Sequence, residues 1–381
     1  MGGGTVTFDC GASGVTITVT STKTISADTT IDGGGLITIS GGNSVGVFSV
    51  NAGVTFTVQN LTIANSNTLY SGGGIYSDGG ALMITNSTFA GNSAVGIYSA
   101  GGPLTITNST FSHNRTDVGG GAIITYNGTL TVTNSTFAGN SAGFGGAISN
   151  NNSTLTVTNS TFAGNSAVSV AGAIENDGTL TVTNSTFSEN SAGVGGAINN
   201  TATATLKNTI VANNTGGNCS GTITDGGHNL DDGTGCGFSA ANGSLSNTAP
   251  KLAAGLANNG GPTQTIALQP GSRAIDVGDE TVCAAAPVNN LDQRGYVRPG
   301  TGATKCSIGA YEFHSPGPPS GCIGDCQHDG RVTVVEILTM VKIALGSPEL
   351  SECESGDANH DGTITIDEIV AAVGNALNNC S

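Results

Sequence analysis

The sequence predicts a mostly β protein, a parallel β-helix with coils of about 25 residues, followed by a small helical acidic module. Three observations carry this. Asn-Ser-Thr-Phe begins at Asn86, Asn108, Asn134, Asn159 and Asn184, and Asn60 and Asn208 open weaker copies. The steps are 26, 22, 26, 25, 25 and 24 residues, a period that signals a solenoid. Gly is 61 of 381 residues, charged residues are 9 % and Trp is absent, which excludes a helical bundle. Charge is also partitioned. Residues 1–314 hold 16 acidic and 8 basic side chains, whereas residues 315–381 hold 10 and 2.

One coil can be read over 130–153. Leu130-Thr131-Val132-Thr133 alternates apolar and polar, the period of a strand with one buried face. Strict alternation would turn Phe137 outward. A bend at Asn134-Ser135 returns it to the interior, and Asn tolerates the left-handed backbone that such a bend needs. Phe137-Ala138 forms a second short strand, stopped by Gly139-Asn140. Gly145-Gly146-Ala147-Ile148 leads into a third, before a turn over 150–153. Stacked coils then place Leu, Val, Phe and Ile in internal ladders, with right-handed crossovers. Amides at Asn134, Asn159 and Asn184 are expected to pair along one corner, because buried polar groups need partners.

Residues 15–19, 29–32, 36–39 and 45–50 read as earlier, less regular coils. After residue 214 the repeat dissolves into Gly/Asn/Asp-rich sequence, and a cap is expected over 265–314, since a solenoid must cover its exposed end. Residues 1–314 thus form the β-helix, 315–321 a Pro/Gly linker and 322–381 a separate module.

That module contains two loops of one design. Asp325, Gln327, Asp329, Arg331, Thr333 and Glu336 occupy positions 1, 3, 5, 7, 9 and 12 of the first. Asp357, Asn359, Asp361, Thr363, Thr365 and Glu368 occupy the same positions of the second, and Gly330 and Gly362 sit at position 6. This is the EF-hand pattern for Ca²⁺, a hard cation that takes six to eight oxygens. Position 7 supplies only a carbonyl, so Arg331 and Thr363 both serve. Each loop runs into one apolar helical stretch, 337–345 and 369–377.

Nine Cys are present, eight of them after residue 210, which points to an oxidising compartment. Cys219/Cys236 and Cys283/Cys306 are local disulfide candidates. Cys322, Cys326, Cys353 and Cys380 allow three pairings, and Cys10 is left over. Residues 1–8 lack the basic and apolar regions of a signal peptide. The expectation is an extracellular or cell-surface protein whose export signal is missing from this chain. No apolar run is long enough to span a membrane. A net charge of −16 argues against nucleic acid and anionic lipid as partners.

Between 60 and 214 the charged side chains are Asp78, Arg115, Asp117, Glu175, Asp177, Glu189 and Lys207, with His113. They are scattered, so no catalytic residue is assigned. His113, Gly139, Gly164 and Glu189 are equivalent by repeat, as expected for a solvated turn. Asp276, Asp279, Glu280, Asp292 and Arg294 form the densest charged group, and Asp292 with Arg294 is expected to lock a turn rather than do chemistry.

Three resemblances follow. Gly-Gly-Ala-Ile at 120–123, 145–148 and 195–198, with Phe-x-x-Asn at 111–114, 137–140, 162–165 and 187–190, resembles the repeats of chlamydial polymorphic outer-membrane proteins, which implies an adhesive surface β-helix. Leu268-Gln-Pro-Gly-Ser-Arg-Ala-Ile-Asp276, Asp292-Gln-Arg-Gly295 and Cys306-Ser-Ile-Gly-Ala-Tyr-Glu312 resemble the end of choice-of-anchor Q proteins, which implies an exported surface protein. Two calcium loops each followed by a single helix resemble the dockerin module, which implies Ca²⁺ binding and a cohesin-like partner. Gln327 and the Glu at position 12 depart from the dockerin pattern. The functional expectation is an adhesin-like surface that binds a glycan or protein. The rivals are a dockerin-tethered polysaccharide lyase or glycoside hydrolase, and a structural surface-layer component.

Overall fold

A computed structural model describes residues 3–68, 72–315, 323–326, 332–346, 350–358 and 362–378. The chain divides into two compact units, one of 1–294 with 298–314 and the other of 295–297 with 315–381.

The first unit is a parallel solenoid of about nine turns. Each coil contributes one strand to each of three sheets, here called A, B and C. Thr129–Thr133 lies in sheet A and Thr136–Ala138 in sheet B, while Ile148–Thr158 opens in sheet C and continues into sheet A of the next coil. The turn expected over 150–153 is therefore a bulge inside one long strand, marked by a register shift between Asn151 and Thr154.

Register is kept residue for residue. Leu104, Leu130, Leu155 and Leu180 pair in order, as do Ile97, Ile123, Ile148 and Ile174. All are buried to 1 % exposure or less. A one-residue slip would turn each of these side chains to solvent, so the apolar period itself fixes the register. Phe89, Phe111, Phe137, Phe162 and Phe187 stack with centroids 4.6–4.9 Å apart and planes within 6° of parallel. Successive coils here are related by almost pure translation, with little of the twist of an open sheet.

The corner between sheets A and B forms as the sequence predicts. Asn86, Asn108, Asn134, Asn159, Asn184 and Asn208 all have φ between 46° and 51°, the left-handed region that Asn tolerates. Apart from Asn86 Nδ2, which donates to Asn60 Oδ1 at 3.3 Å, this corner does not build the amide ladder expected at Asn134, Asn159 and Asn184. The Oδ1 atoms of Asn108, Asn134 and Asn159 have no partner. The ladder is instead built from the Asn of Phe-x-x-Asn. Nδ2 of Asn92, Asn114, Asn140, Asn165 and Asn190 donates to Oδ1 of the equivalent Asn one coil on, at 2.7–2.9 Å. The same amides donate to carbonyls of the preceding coil, as Asn165 does to Phe137 O at 2.9 Å. These positions lie three residues after the core Phe, inside the stack, where an unpaired amide is costly and a paired one fixes the coil.

Residues 218–246 close the C-terminal end of the stack. Cys219 and Cys236 are disulfide-bonded, Phe238 joins the core, and Leu245 bridges to Leu230. The segment assigned to a cap lies elsewhere in this unit, along the outer side of sheet B. Gln293, fully buried, donates through Nε2 to Thr136 and Thr263 at 2.9 Å and accepts from Thr161 Oγ1 at 2.6 Å. Asn159 donates to Leu291 O, and Asn208 exchanges two hydrogen bonds with the Asp279 backbone. Ile210, Ala212 and Leu230 are covered by Leu268, Ala274 and Ile308. The segment is thus a strap whose polar contacts use the Asn and Thr of the repeat itself.

The second unit holds two helices, Val334–Ala344 and Ile366–Asn378, packed around Met340 and Ala372, both fully buried. Cys326 and Cys353 are disulfide-bonded. Cys322 and Cys380 lie outside the described residues.

Candidate functional site

Two regions gather chemistry. The first is the outward side of sheet C. Strand alternation turns the residue after each inward Ile outward, and the register aligns Tyr76, Tyr98, Ile124, Ser149, Glu175 and Asn199 in one column. A second column, two residues on, holds Asp78, Ala100, Tyr126, Asn151 and Asp177. Tyr76 and Tyr98 stack at 5.1 Å, and Tyr98 and Tyr126 meet at 5.7 Å. Tyr76 and Tyr98 are half-buried and Tyr126 is 37 % exposed. Gly72 makes room for this stack: a Cβ there would stand 2.9 Å from the Tyr98 Cβ. Gly145 does the same for Glu175, at 3.0 Å, and its φ of +58° suits glycine independently.

Glu175 is the most perturbed acid of this face. Burial pushes its carboxyl above the usual range; a hydrogen bond from Ser149 Oγ at 2.9 Å opposes this, and the Asp177 charge adds to it. Asn151 donates to Ser149 Oγ at 3.0 Å, and Thr201 donates to Asp177 at 2.9 Å. Burial also raises the Tyr98 phenol, with Tyr76, Tyr126 and Asp78 adding to the shift. The face therefore runs, coil by coil, from phenol hydroxyls and ring edges to amide and carboxyl groups, with the Ser149 hydroxyl buried beneath Glu175 and Asn151. Sequence reading missed the tyrosines. Their signal was positional: Tyr76 and Tyr98 each follow Gly-Ile, where the repeat otherwise carries Ile, Ser, Glu or Asn.

The second region is the pair of loops in the helical unit. Asp325 and Asp357, at position 1, are 3 % exposed, and Glu336 and Glu368, at position 12, are 2 % and 5 % exposed. Val332 and Ile364, at position 8, are buried in the core of the unit. Glu336 Oε2 accepts from Thr333 N and Oγ1 at 2.7 and 2.9 Å, a capping box that starts the first helix. Glu368 repeats the arrangement with Thr365 at 2.7 and 3.0 Å. Asp357 Oδ2 accepts from Gly362 N, closing the second loop on itself. Thr363 is exposed. Gln327, Asp329, Arg331, Asn359 and Asp361 lie outside the described residues. Among the described residues, no group of three His, Cys, Asp or Glu side chains stands close enough to hold a metal.

The remaining charged residues have structural work. Asp292 and Arg294 pair at 2.7 Å, both buried, and Arg294 lies over the Tyr311 ring. Arg298 and Glu312 pair at 3.4 Å, fully buried, and burial raises the Glu312 carboxyl while Arg298 draws it back. Asp279 caps the short helix Glu280–Ala284, and Glu280 accepts from Cys306 N. Cys283 and Cys306 are disulfide-bonded, and Cys10 is free and exposed. Arg115 pairs with Asp117 at 3.4 Å in solvent. His113 and Glu189 sit in left-handed turns, which accounts for Gly at the equivalent positions.

Residues 45–216 match the family described as "Right handed beta helix region". No match was found among curated proteins or among solved structures. Among the described residues, no helix is long and apolar enough to cross a membrane. The stacked parallel register and the family match together make this a right-handed parallel β-helix protein.

Proposed function

We propose that the protein is an extracellular, adhesin-like β-helix that binds a glycan along the outer face of sheet C and docks a protein partner through a Ca²⁺-ordered terminal module. The observation that carries the first part is the tyrosine stack running into Asn151, Glu175 and Asn199 along one axis. An elongated polyhydroxylated chain suits such a strip, because ring edges cover its apolar side while hydroxyl, amide and carboxyl groups answer its hydroxyls. Three disulfides among the described residues fit an oxidising location.

The second part rests on donor chemistry and on exposed apolar surface. Carboxylates at positions 1 and 12 of both loops are buried, each Glu held by an exposed Thr at position 9, and this set of oxygens suits a hard cation. Ca²⁺ would be held by Asp325, Thr333 and Glu336 in one loop and by Asp357, Thr365 and Glu368 in the other, with the intervening positions completing each shell. It would join loop to helix and neutralise the buried carboxylates. Val334 and Leu338 on the first helix with Leu345 at its C-cap, and Ile366, Val370 and Leu377 on the second, are more than half exposed. Two apolar stripes of matching spacing, 32 residues apart, suit a protein partner.

A glycan array probed with the full chain in Ca²⁺ tests the reading. Binding to one glycan class, lost in Tyr98→Ala with the circular dichroism spectrum unchanged, is expected. Retention of binding in that variant would remove sheet C from the site. Release of unsaturated or reducing ends from the bound glycan would replace the adhesin with an enzyme, for which the raised Glu175 carboxyl is the candidate acid.

A further inference from the structure

Sheet A carries a feature that the glycan reading does not use. Over five rungs, 103–107, 129–133, 154–158, 179–183 and 203–207, thirteen of the fifteen positions that alternate with the inward apolar residues are Thr, and of these only Thr158, beside the corner, is buried. Thr129, Thr154, Thr179 and Thr203 form one exposed column. Thr105, Thr131, Thr156, Thr181 and Thr205 form the next, exposed or half-buried. Along the axis the repeat follows the Phe stack inside, 4.6–4.9 Å. Across the columns it is two residues of strand, about 6.6 Å.

We propose that this threonine array binds the surface of ice, holding a layer of water in register with the crystal. Both repeats lie close to oxygen repeats on a face of hexagonal ice. The near absence of rotation between coils keeps the array flat over its length, which an ordinary twisted sheet would not do. Thr is suited to the task because β-branching stiffens χ1, so each hydroxyl and methyl keeps a fixed place. The methyls exclude disordered water and the hydroxyls anchor lattice water.

Two further points select the occupant. In a chain of net charge −16, Lys207 is the only charged side chain on these five rungs, and it stands at a corner, which complements a neutral lattice. The two accessible columns span about 7 by 19 Å, roughly 130 Å². A stable protein interface needs about 800 Å² per partner, so a globular protein resting on this face alone is disfavoured. A crystalline polysaccharide would want aromatic rings, and those lie on sheet C.

The test uses the full chain in dilute solution, measuring its enrichment in slowly grown ice against serum albumin and the habit of a single ice crystal. Enrichment and faceting are expected. The pair Thr131→Lys and Thr156→Lys, outward on the central rungs, should lose both while the circular dichroism spectrum is unchanged. Val168→Lys, on an exposed loop away from the array, should retain both. Should the lysine pair misfold, Thr131→Ser, Thr156→Ser and Thr181→Ser together remove the methyls with less disturbance and should reduce enrichment. Partition equal to albumin, adsorption to crystalline cellulose or chitin instead of ice, or undiminished partition of a folded lysine pair would each overturn the proposal.

Discussion

Asn165→Ala should be among the most destabilising single substitutions in the solenoid. Asn165 Oδ1 accepts from both N and Nδ2 of Asn140, at 3.0 and 2.9 Å, and its Nδ2 donates to Phe137 O and Asn190 Oδ1, each at 2.9 Å. Every side chain in this set is fully buried. Truncation strips the Asn140 backbone N–H of its acceptor and leaves one Asn140 amide hydrogen unpaired. A buried group left without a partner costs about 1–3 kcal/mol, so two place the loss at about 2–6 kcal/mol. That is comparable with the ~3–5 kcal/mol expected for Phe137→Ala, which removes a ring from the stack. Asn134→Gly supplies the contrast. Asn134 has φ +51° and an Oδ1 without a partner, and glycine adopts that backbone freely, so the loss should stay below about 1 kcal/mol. Urea midpoints of the three variants, followed by circular dichroism with slopes compared to the parent, give the order. If Asn134→Gly costs as much as Asn165→Ala, the assignment of the ladder to the Phe-x-x-Asn position is wrong.

Two further outcomes follow from the sites. Because burial raises the Glu175 carboxyl in the folded state, its contribution to stability is present below the unfolded pKa and is lost as pH rises through the higher folded value. Glu175→Gln should therefore flatten the acid-to-neutral part of the stability profile, and an unchanged profile would mean that the group is not buried as described. Removing Ca²⁺ with EDTA should reduce the helical circular dichroism signal of the terminal unit while the β signal of the solenoid persists. Glu336→Gln with Glu368→Gln should mimic that loss, and a helical signal indifferent to EDTA would sink the calcium assignment.

Much of the solenoid was legible because its signals are local and repeated. Leu130 and Val132 declare their direction through alternation alone, and Asn134 marks a corner, because few residues tolerate its backbone, that returns Phe137 to the interior. The sequence reading placed the amide ladder one motif too early. Asn134 and Asn140 recur with the same period, and only the direction of the chain after the corner decides which of them turns inward. The strap was hidden for a different reason. Gln293, Thr263 and Asp279 reach Thr136, Asn134 and Asn208 across 71 to 157 residues, and no periodicity reports on contacts of that range. The tyrosines were missed because each was a lone substitution until the register aligned them.

The three sheets of one coil meet three different fates, and the outward residues explain why. Sheet B ends in short strands whose Thr136, Thr161 and Thr186 hydroxyls are taken up by Gln264, Gln293 and Ala310, so the strap closes that side over these coils. Sheet A repeats Thr with so little variation that no single coil is distinguished from its neighbours, which suits a periodic surface and no discrete ligand. Sheet C is the reverse. Its outward column changes at almost every coil, from Tyr through Ile and Ser to Glu and Asn, over an inner column of Ile that does not change at all. A stack stabilised by its interior leaves the outer residue of each rung free to differ. Where outer residues do differ along one axis, the rod acquires a direction, and a ligand with two unlike ends can be read only there.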